Sequence, residues 1–202
     1  RLLFHSLAFA LLLASVLLLD RAIHRLVPGR AGWNLRCGVY LVASLVFYTL
    51  WIPAYLVLLL VEIGVNYALL RGMARSRRPK LFLAASVVFS LWLLAYFKYA
   101  AFLVESAIPL LQAGFGYTPA IPEILLPLGV SFYTFMIIAL VIDTHRGEIE
   151  PVKSLRQYAL FISFFPHLIA GPILRGSELL PQLERGAAHT RERSQRAVWL
   201  LT

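Results

Sequence analysis

Apolar residues along this chain come in long runs, and the runs have the length of membrane crossings. Residues 2–19 are almost continuously apolar, interrupted at His5 and Ser6. Residues 39–70 are long enough for two short passes, and residues 81–104 make one full pass with a single charge, Lys98. Crossing the hydrocarbon core takes roughly 20 mostly apolar residues. No soluble fold of 202 residues would contain all three runs. The first run is too long for the apolar core of a secretory signal. Asp20 and Arg21 stand where a small-residue cleavage site would be. The chain begins at Arg1, not Met, and ends at Thr202 just after the apolar run 197–201. A single domain fragment over residues 1–202, cut from a longer protein, is the expectation.

The polar stretches between the runs order them into a topology. The first segment is residues 2–19, followed by a loop at 20–36 carrying Arg21, Arg25, Arg30 and Arg36. The second segment runs from about Cys37 to Trp51. Ile52-Pro53 predicts a tight turn, because proline disfavours helical geometry in the residue before it. The third is 54–70, the loop 71–80 carries five basic residues, and the fourth is 81–104. If the second and third segments form a hairpin, both basic loops fall on one side, the cytoplasmic side by the positive-inside rule. The loop 105–123, without Lys or Arg but with Pro109, Gly114, Gly116, Pro119 and Pro122, then lies outside and reads as irregular. The N-terminus is extracytoplasmic in this scheme. The fifth segment, 124–142, returns to a basic loop at 143–156.

Residues 158–174 break the pattern. A full crossing would put Arg175, Arg185, Arg191, Arg193 and Arg196 outside, against the charge rule, and Pro166, Gly171 and Pro172 interrupt helical hydrogen bonding. Broken backbone at membrane depth is tolerated only where protein or a water-filled cavity covers it. A re-entrant or broken element is expected, with a kinked full crossing as the alternative. The tail 190–202, basic and then apolar, fits an interfacial segment leading into a further span. The fold class expected is thus all-α, a polytopic transmembrane helical bundle with a broken or re-entrant helix.

Composition adds little to this and removes some alternatives. The apolar fraction is 60%, against about 45–50% for soluble domains. Mean hydropathy is +0.76. The net charge of +9 could point to nucleic acid. The basic residues flank apolar runs as membrane-bordering clusters do, however, and no basic face survives burial of the spans. Nucleic acid is therefore not an expected partner; the lipid bilayer is. One cysteine, Cys37, excludes an intrachain disulfide and any CxxC motif. The five histidines are dispersed, with no HxxxH or HExxH, so no metal site is expected. Neither a GxSxG elbow nor a P-loop occurs.

Polar groups inside membrane segments are the candidates for chemistry. His167 follows Phe164-Phe165-Pro166 and precedes Gly171-Pro172. Its ring could line a polar cavity or bind substrate, or simply be satisfied by a backbone carbonyl; the sequence leaves both open. Ser131, Tyr133 and Thr134 form a hydroxyl cluster after Pro127 and Gly129, suited to interhelical hydrogen bonds or to an aqueous pocket. Glu62 and Asn66, four apart, share a helix face and are expected to point into the bundle. Asp143 and Arg146, three apart, could pair on a helix face. Lys98 between Tyr96 and Tyr99 suits an aromatic belt.

Four motifs carry a family resemblance. Leu126-Pro127-Leu128-Gly129-Val130-Ser131-Phe132-Tyr133-Thr134-Phe135 resembles a hallmark stretch of membrane-bound O-acyltransferases. So does Phe164-Phe165-Pro166-His167-Leu168-Ile169-Ala170-Gly171-Pro172-Ile173, with Arg175 and Leu180-Pro181-Gln182-Leu183 after it. Arg77-Arg78-Pro79-Lys80 leading to Phe97-Lys98-Tyr99 and Phe102 is the third, and Ser44-Leu45-Val46-Phe47-Tyr48 the fourth. Their order is similar to the bacterial branch containing alginate O-acetyltransferases and the D-alanyl transfer protein of teichoic acid synthesis, over nearly the whole chain.

The resemblance implies acyl transfer to a hydroxyl within a funnel that thins the membrane. It implies a multi-pass protein of the bacterial inner membrane. The acyl donor, acetyl-CoA or an acyl carrier, is a substrate and not a resident cofactor. The acceptor is a polysaccharide such as alginate, or a secreted acyl-acceptor protein. The family's catalytic histidine lies on a later helix, so no catalytic residue is expected in this fragment. His167 occupies a position where the family also accepts Gln. Funnel candidates are His167, Pro166, Gly171, Pro172, Arg175, Ser131 and Tyr133. The rival classes are a transporter or channel subunit, which predicts an inverted repeat and a midplane ion site, and a purely structural membrane subunit, which needs no broken helix at His167.

Overall fold

A computed structural model describes residues 7–50, 52–116, 126–168 and 175–185. Among the described residues the fold is all-helical. It comprises α1 (Leu7–Leu26), α2 (Gly29–Thr49), α3 (Pro53–Met73), α4 (Pro79–Phe115), α5 (Val130–Arg146), α6 (Leu155–Ser163), α7 (Phe165–Leu168) and α8 (Gly176–Arg185). Among the described residues two helices, α3 and α4, are long and apolar enough to cross a membrane.

Prolines set the turns. Ile52 is extended (φ −144°, ψ 108°) ahead of Pro53, which sits in the first turn of α3. Pro79 opens α4 in the same way. The residue before proline is pushed out of the helical region, while proline's missing N–H costs nothing at a helix start. The second and third segments are therefore two helices joined by a short turn, not one long tilted helix. Pro28 separates α1 from α2. There Gly32 lies against the corner so closely that a Cβ would stand 1.8 Å from the Val27 carbonyl oxygen.

The fifth helix starts at Val130 and not at 124, because Pro127 and the left-handed Gly129 hold the preceding residues out of the helix. Elsewhere helices run past the expected boundaries because charge ends an apolar run without ending backbone hydrogen bonding. The expected loop 20–36 is mostly helix, since α1 continues through Arg21 and Arg25 to Leu26 and α2 starts at Gly29. Residues 105–115, expected to be irregular, prolong α4 to 37 residues, with Pro109 inside it. That is about 55 Å of helix at 1.5 Å per residue. The basic loop after the fifth segment shrinks to 147–154. Arg146 pairs with Glu148 at 3.8 Å and not with Asp143. Residues 117–125 and the tail 190–202 lie outside the described residues.

The core sits between α2, α3, α5 and α6. Tyr48, Leu59, Leu70, Tyr133, Met136, Ile137, Leu140, Tyr158 and Phe161 are all inaccessible. A second cluster joins Val16 of α1, Ala43 and Phe47 of α2, and Phe165 of α7. By contrast Leu11, Leu18, Val57, Val88, Trp92, Phe102 and Leu103 are exposed. An apolar outer surface of that extent is one that lipid, not water, would cover. Helix association in such a setting rests on close packing and polar contacts between helices. Both contacts are present. Asn66 of α3 donates to Ser90 Oγ of α4 at 3.1 Å and accepts from Ser86, with all three side chains buried. Glu62 and Asn66 point inward together, as their spacing predicts. Lys98 Nζ lies 5.4 Å from the Tyr99 ring centre.

Candidate functional site

The broken element predicted at residues 158–174 is present in its described part. Ser154 caps α6, accepting from the Gln157 N–H at 3.4 Å, and the helix stops at Ser163. Phe164 turns out of helical geometry (φ −56°, ψ 109°), and α7 follows as a single turn. Pro166 explains the stop. Its ring lacks the N–H that would reach back to Ile162 and would collide with that carbonyl. The Phe165 N–H, which a continuous helix would spend on Phe161, donates instead to Ser44 Oγ of α2 at 3.2 Å.

The hydroxyl-bearing stretch reaches the same helix. Gly129 takes a left-handed conformation (φ 69°), so the chain can turn sharply into α5 at Val130. This presents the Leu128 carbonyl to Tyr48 Oη at 3.1 Å. Ser44 and Tyr48 are one helical turn apart on α2. The motif 44–48 is thus a platform on which both the start of α5 and the α6–α7 break are hung, and Leu128 and Phe165 pack into one cluster over Ala43 and Phe47. Three motifs remote in sequence become neighbours. The fourth lies along α4, where Phe97 packs edge-on against Tyr55 at 5.8 Å between ring centres.

The individual candidates divide as follows. Tyr133 is fully buried and Ser131 half-buried on α5. Pro166 and Arg175 are exposed, and the Arg175 carbonyl accepts from Glu178 at 3.0 Å to start α8. His167 is carried on α7. Gly171 and Pro172 lie outside the described residues.

Two features were not anticipated from sequence. The first is an ion pair between α1 and α2. Arg36 grips Asp20 through Nε at 2.5 Å and Nη2 at 3.0 Å, Tyr40 also donates to that carboxylate, and Trp33 stacks on the guanidinium at 5.1 Å. The second is an apolar cavity of about 150 Å³ beside it, bounded by Trp33, Tyr40, Phe164, Leu179 and Leu183, with Gln182 as its amide. Trp33 Nε1 closes one edge by donating to the Leu183 carbonyl at 2.7 Å. No group of residues able to hold a metal occurs among the described residues.

Comparison with known proteins gives concordant relatives. The "Probable alginate O-acetylase AlgI" of Pseudomonas aeruginosa is 41% identical over 157 residues, covering 75% of this chain and 30% of the relative. The protein of the same name from Azotobacter vinelandii is 41% identical over 147 residues, 70% of this chain and 29% of the relative. The "Peptidoglycan O-acetyltransferase" of Helicobacter pylori is 31% identical over 169 residues, 70% of this chain and 31% of the relative. No family model and no solved structure matches. The chain spans about three tenths of the length of these relatives. With the motifs gathered on α2, these matches identify the chain as a membrane-bound O-acyltransferase-like segment, related to the alginate and peptidoglycan O-acetyltransferases.

Proposed function

We propose that this chain builds part of the funnel wall of a membrane-bound O-acyltransferase. The whole protein moves acetyl, or a similar short acyl group, onto hydroxyls of an extracytoplasmic polysaccharide such as alginate. The observation that carries this reading is the convergence of the 126–135 motif and residues 164–168 on one turn of α2 within the 44–48 motif, in a chain 41% identical over 157 residues to a protein named for alginate O-acetylation. The segment sits in the bacterial inner membrane as a multi-pass bundle. The exposed apolar faces of α1, α3 and α4 meet lipid.

In this proposal Ser131, Pro166, His167, Gly171, Pro172 and Arg175 border the acceptor path, and Tyr133, fully buried in the core, supports it from behind. None of them is assigned the proton transfer that activates the acceptor hydroxyl, a task suited to a histidine supplied from outside these residues. The acyl donor is acetyl-CoA or an acyl carrier. The cavity beside Trp33 is apolar except for Gln182 and has room for a short acyl group, whereas a sugar would need more polar partners.

Deleting the gene and measuring ester-linked acetyl on the exported polysaccharide tests the activity: the acetyl content should collapse and return on complementation. An unchanged acetyl content removes the reading. His167→Gln should retain activity; loss of activity in a protein that still accumulates would make His167 a catalytic residue.

A further inference from the structure

The middle of α3 holds a carboxyl group that the described helices leave without a counter-charge. Glu62 is the tenth residue of the 21 in α3 and is wholly inaccessible. No hydrogen bond of normal geometry reaches its carboxylate oxygens, although the Ser90 hydroxyl of α4 lies close enough to interact with them. The buried hydroxyls of Tyr133 on α5 and Tyr158 on α6 also lack a hydrogen bond of normal geometry, with Tyr133 beside Tyr48 of α2, and both lie within electrostatic range of Glu62. Ser90 of α4 stands beside the carboxyl. Hydroxyls from α4, α5 and α6 thus lie within electrostatic reach of Glu62 on α3, and no lysine, arginine or histidine among the described residues is paired with it.

A lone carboxylate in a medium of low polarity is severely unfavourable unless a positive charge accompanies it. The surrounding groups supply oxygen atoms but no charge. Glu62 is already enclosed by helices of this chain, so a cationic side chain from elsewhere in the protein could reach it only by displacing them. The guest must therefore be small. An all-oxygen shell with one negative charge is the donor chemistry of hard, weakly charged cations.

We propose that Glu62, Tyr133 and Tyr158 form an internal binding site for a single small cation, an alkali ion or a proton, which neutralises the carboxylate at the centre of the bundle. The carboxylate, the two phenols and the Ser90 hydroxyl are the oxygen groups from which an alkali ion would draw its ligands. With a proton the carboxyl becomes a donor, and the phenols complete its hydrogen bonding directly or through water. The site does not depend on the acyltransferase reading.

The intact protein in nanodiscs provides the test, with thermal unfolding as the readout. A ligand that binds only the folded state raises Tm as its concentration rises. Wild-type Tm is compared in sodium, potassium and choline chloride at equal ionic strength, and then across pH at fixed salt. An alkali-ion site gives a Tm several degrees higher in sodium or potassium than in choline. A proton site gives a Tm that falls as pH rises, whichever salt is present. In either case Glu62→Gln, neutral and of the same shape, accumulates normally and is insensitive to the variable that moves the wild type. Tyr133→Phe and Tyr158→Phe each reduce that sensitivity. Identical responses of wild type and Glu62→Gln to both variables would overturn the proposal. So would a wild type that responds to neither.

Discussion

The Phe165 N–H donates to Ser44 Oγ across 3.2 Å, and the same hydroxyl donates to the Tyr40 carbonyl at 2.7 Å. One serine on α2 therefore holds open the helix break that Pro166 begins. Ser44→Ala removes the acceptor and leaves a buried amide unpaired, a loss of about 1–3 kcal/mol. A lower Tm in detergent is expected, together with reduced acetyl transfer in cells as the break loses its anchor. An unchanged Tm would mean that the break is held by packing of Phe165 alone.

The Asp20–Arg36 pair ties α1 to α2 where both leave the apolar run. Removing one partner strands a mostly buried charge and costs about 3–5 kcal/mol. Asp20→Ala and Arg36→Ala should each lower stability strongly. Asp20→Leu combined with Arg36→Met should recover most of it, because apolar replacement of both partners leaves no stranded charge. A double-mutant cycle on Tm measures the coupling; strictly additive losses would show that the two side chains act independently.

How much of this was legible beforehand depended on whether the cause was local. Pro53 marks a turn by its own covalent structure, and α3 starts there, whereas Pro79, read as part of the basic loop 71–80, opens α4. Glu62 and Asn66 share a face by spacing alone, and both are buried. Helix ends were misplaced at Asp20 and Glu105, because those residues interrupt hydrophobicity while their amides keep their helical partners. The ion pair was hidden for a different reason. Asp20 and Arg36 are 16 residues apart, and only the corner at Val27-Pro28-Gly29 folds one against the other. The α2 platform depends on separations of 80 and 121 residues, so the motifs could be recognised but not their meeting.

That corner tolerates no side chain at residue 32. A Cβ on Gly32 would meet the Val27 carbonyl oxygen at 1.8 Å and its carbon at 2.9 Å, both backbone atoms that cannot swing aside. Gly32→Ala should force α1 away from α2, weaken the Asp20–Arg36 pair and lower the amount of folded protein. Gly38→Ala, with open space around its added methyl, is the matched control. Equal accumulation of the two variants in membranes would contradict this account of the corner.

Topology can be read by placing a cysteine at Ser76, just before α4, and another at Ala113, near its end, in a Cys37→Ala background. Cys37 is buried and belongs to the core, so its replacement needs a stability check first. A membrane-impermeant maleimide should label the two positions from opposite sides of the membrane. Labelling of both from one side would mean that α4 does not cross.

The length of α4 has a further consequence. Its 37 residues span about 55 Å, while the hydrocarbon is about 30 Å thick. Even at a tilt of about 40°, the upper end of what membrane helices show, roughly 10 Å of it must stand clear of the lipid tails. Glu105 is the first acidic residue of the helix, so the three turns from it onward are the part best placed to emerge. A helix of this length therefore carries its last turns beyond the hydrocarbon at any tilt that membrane helices show.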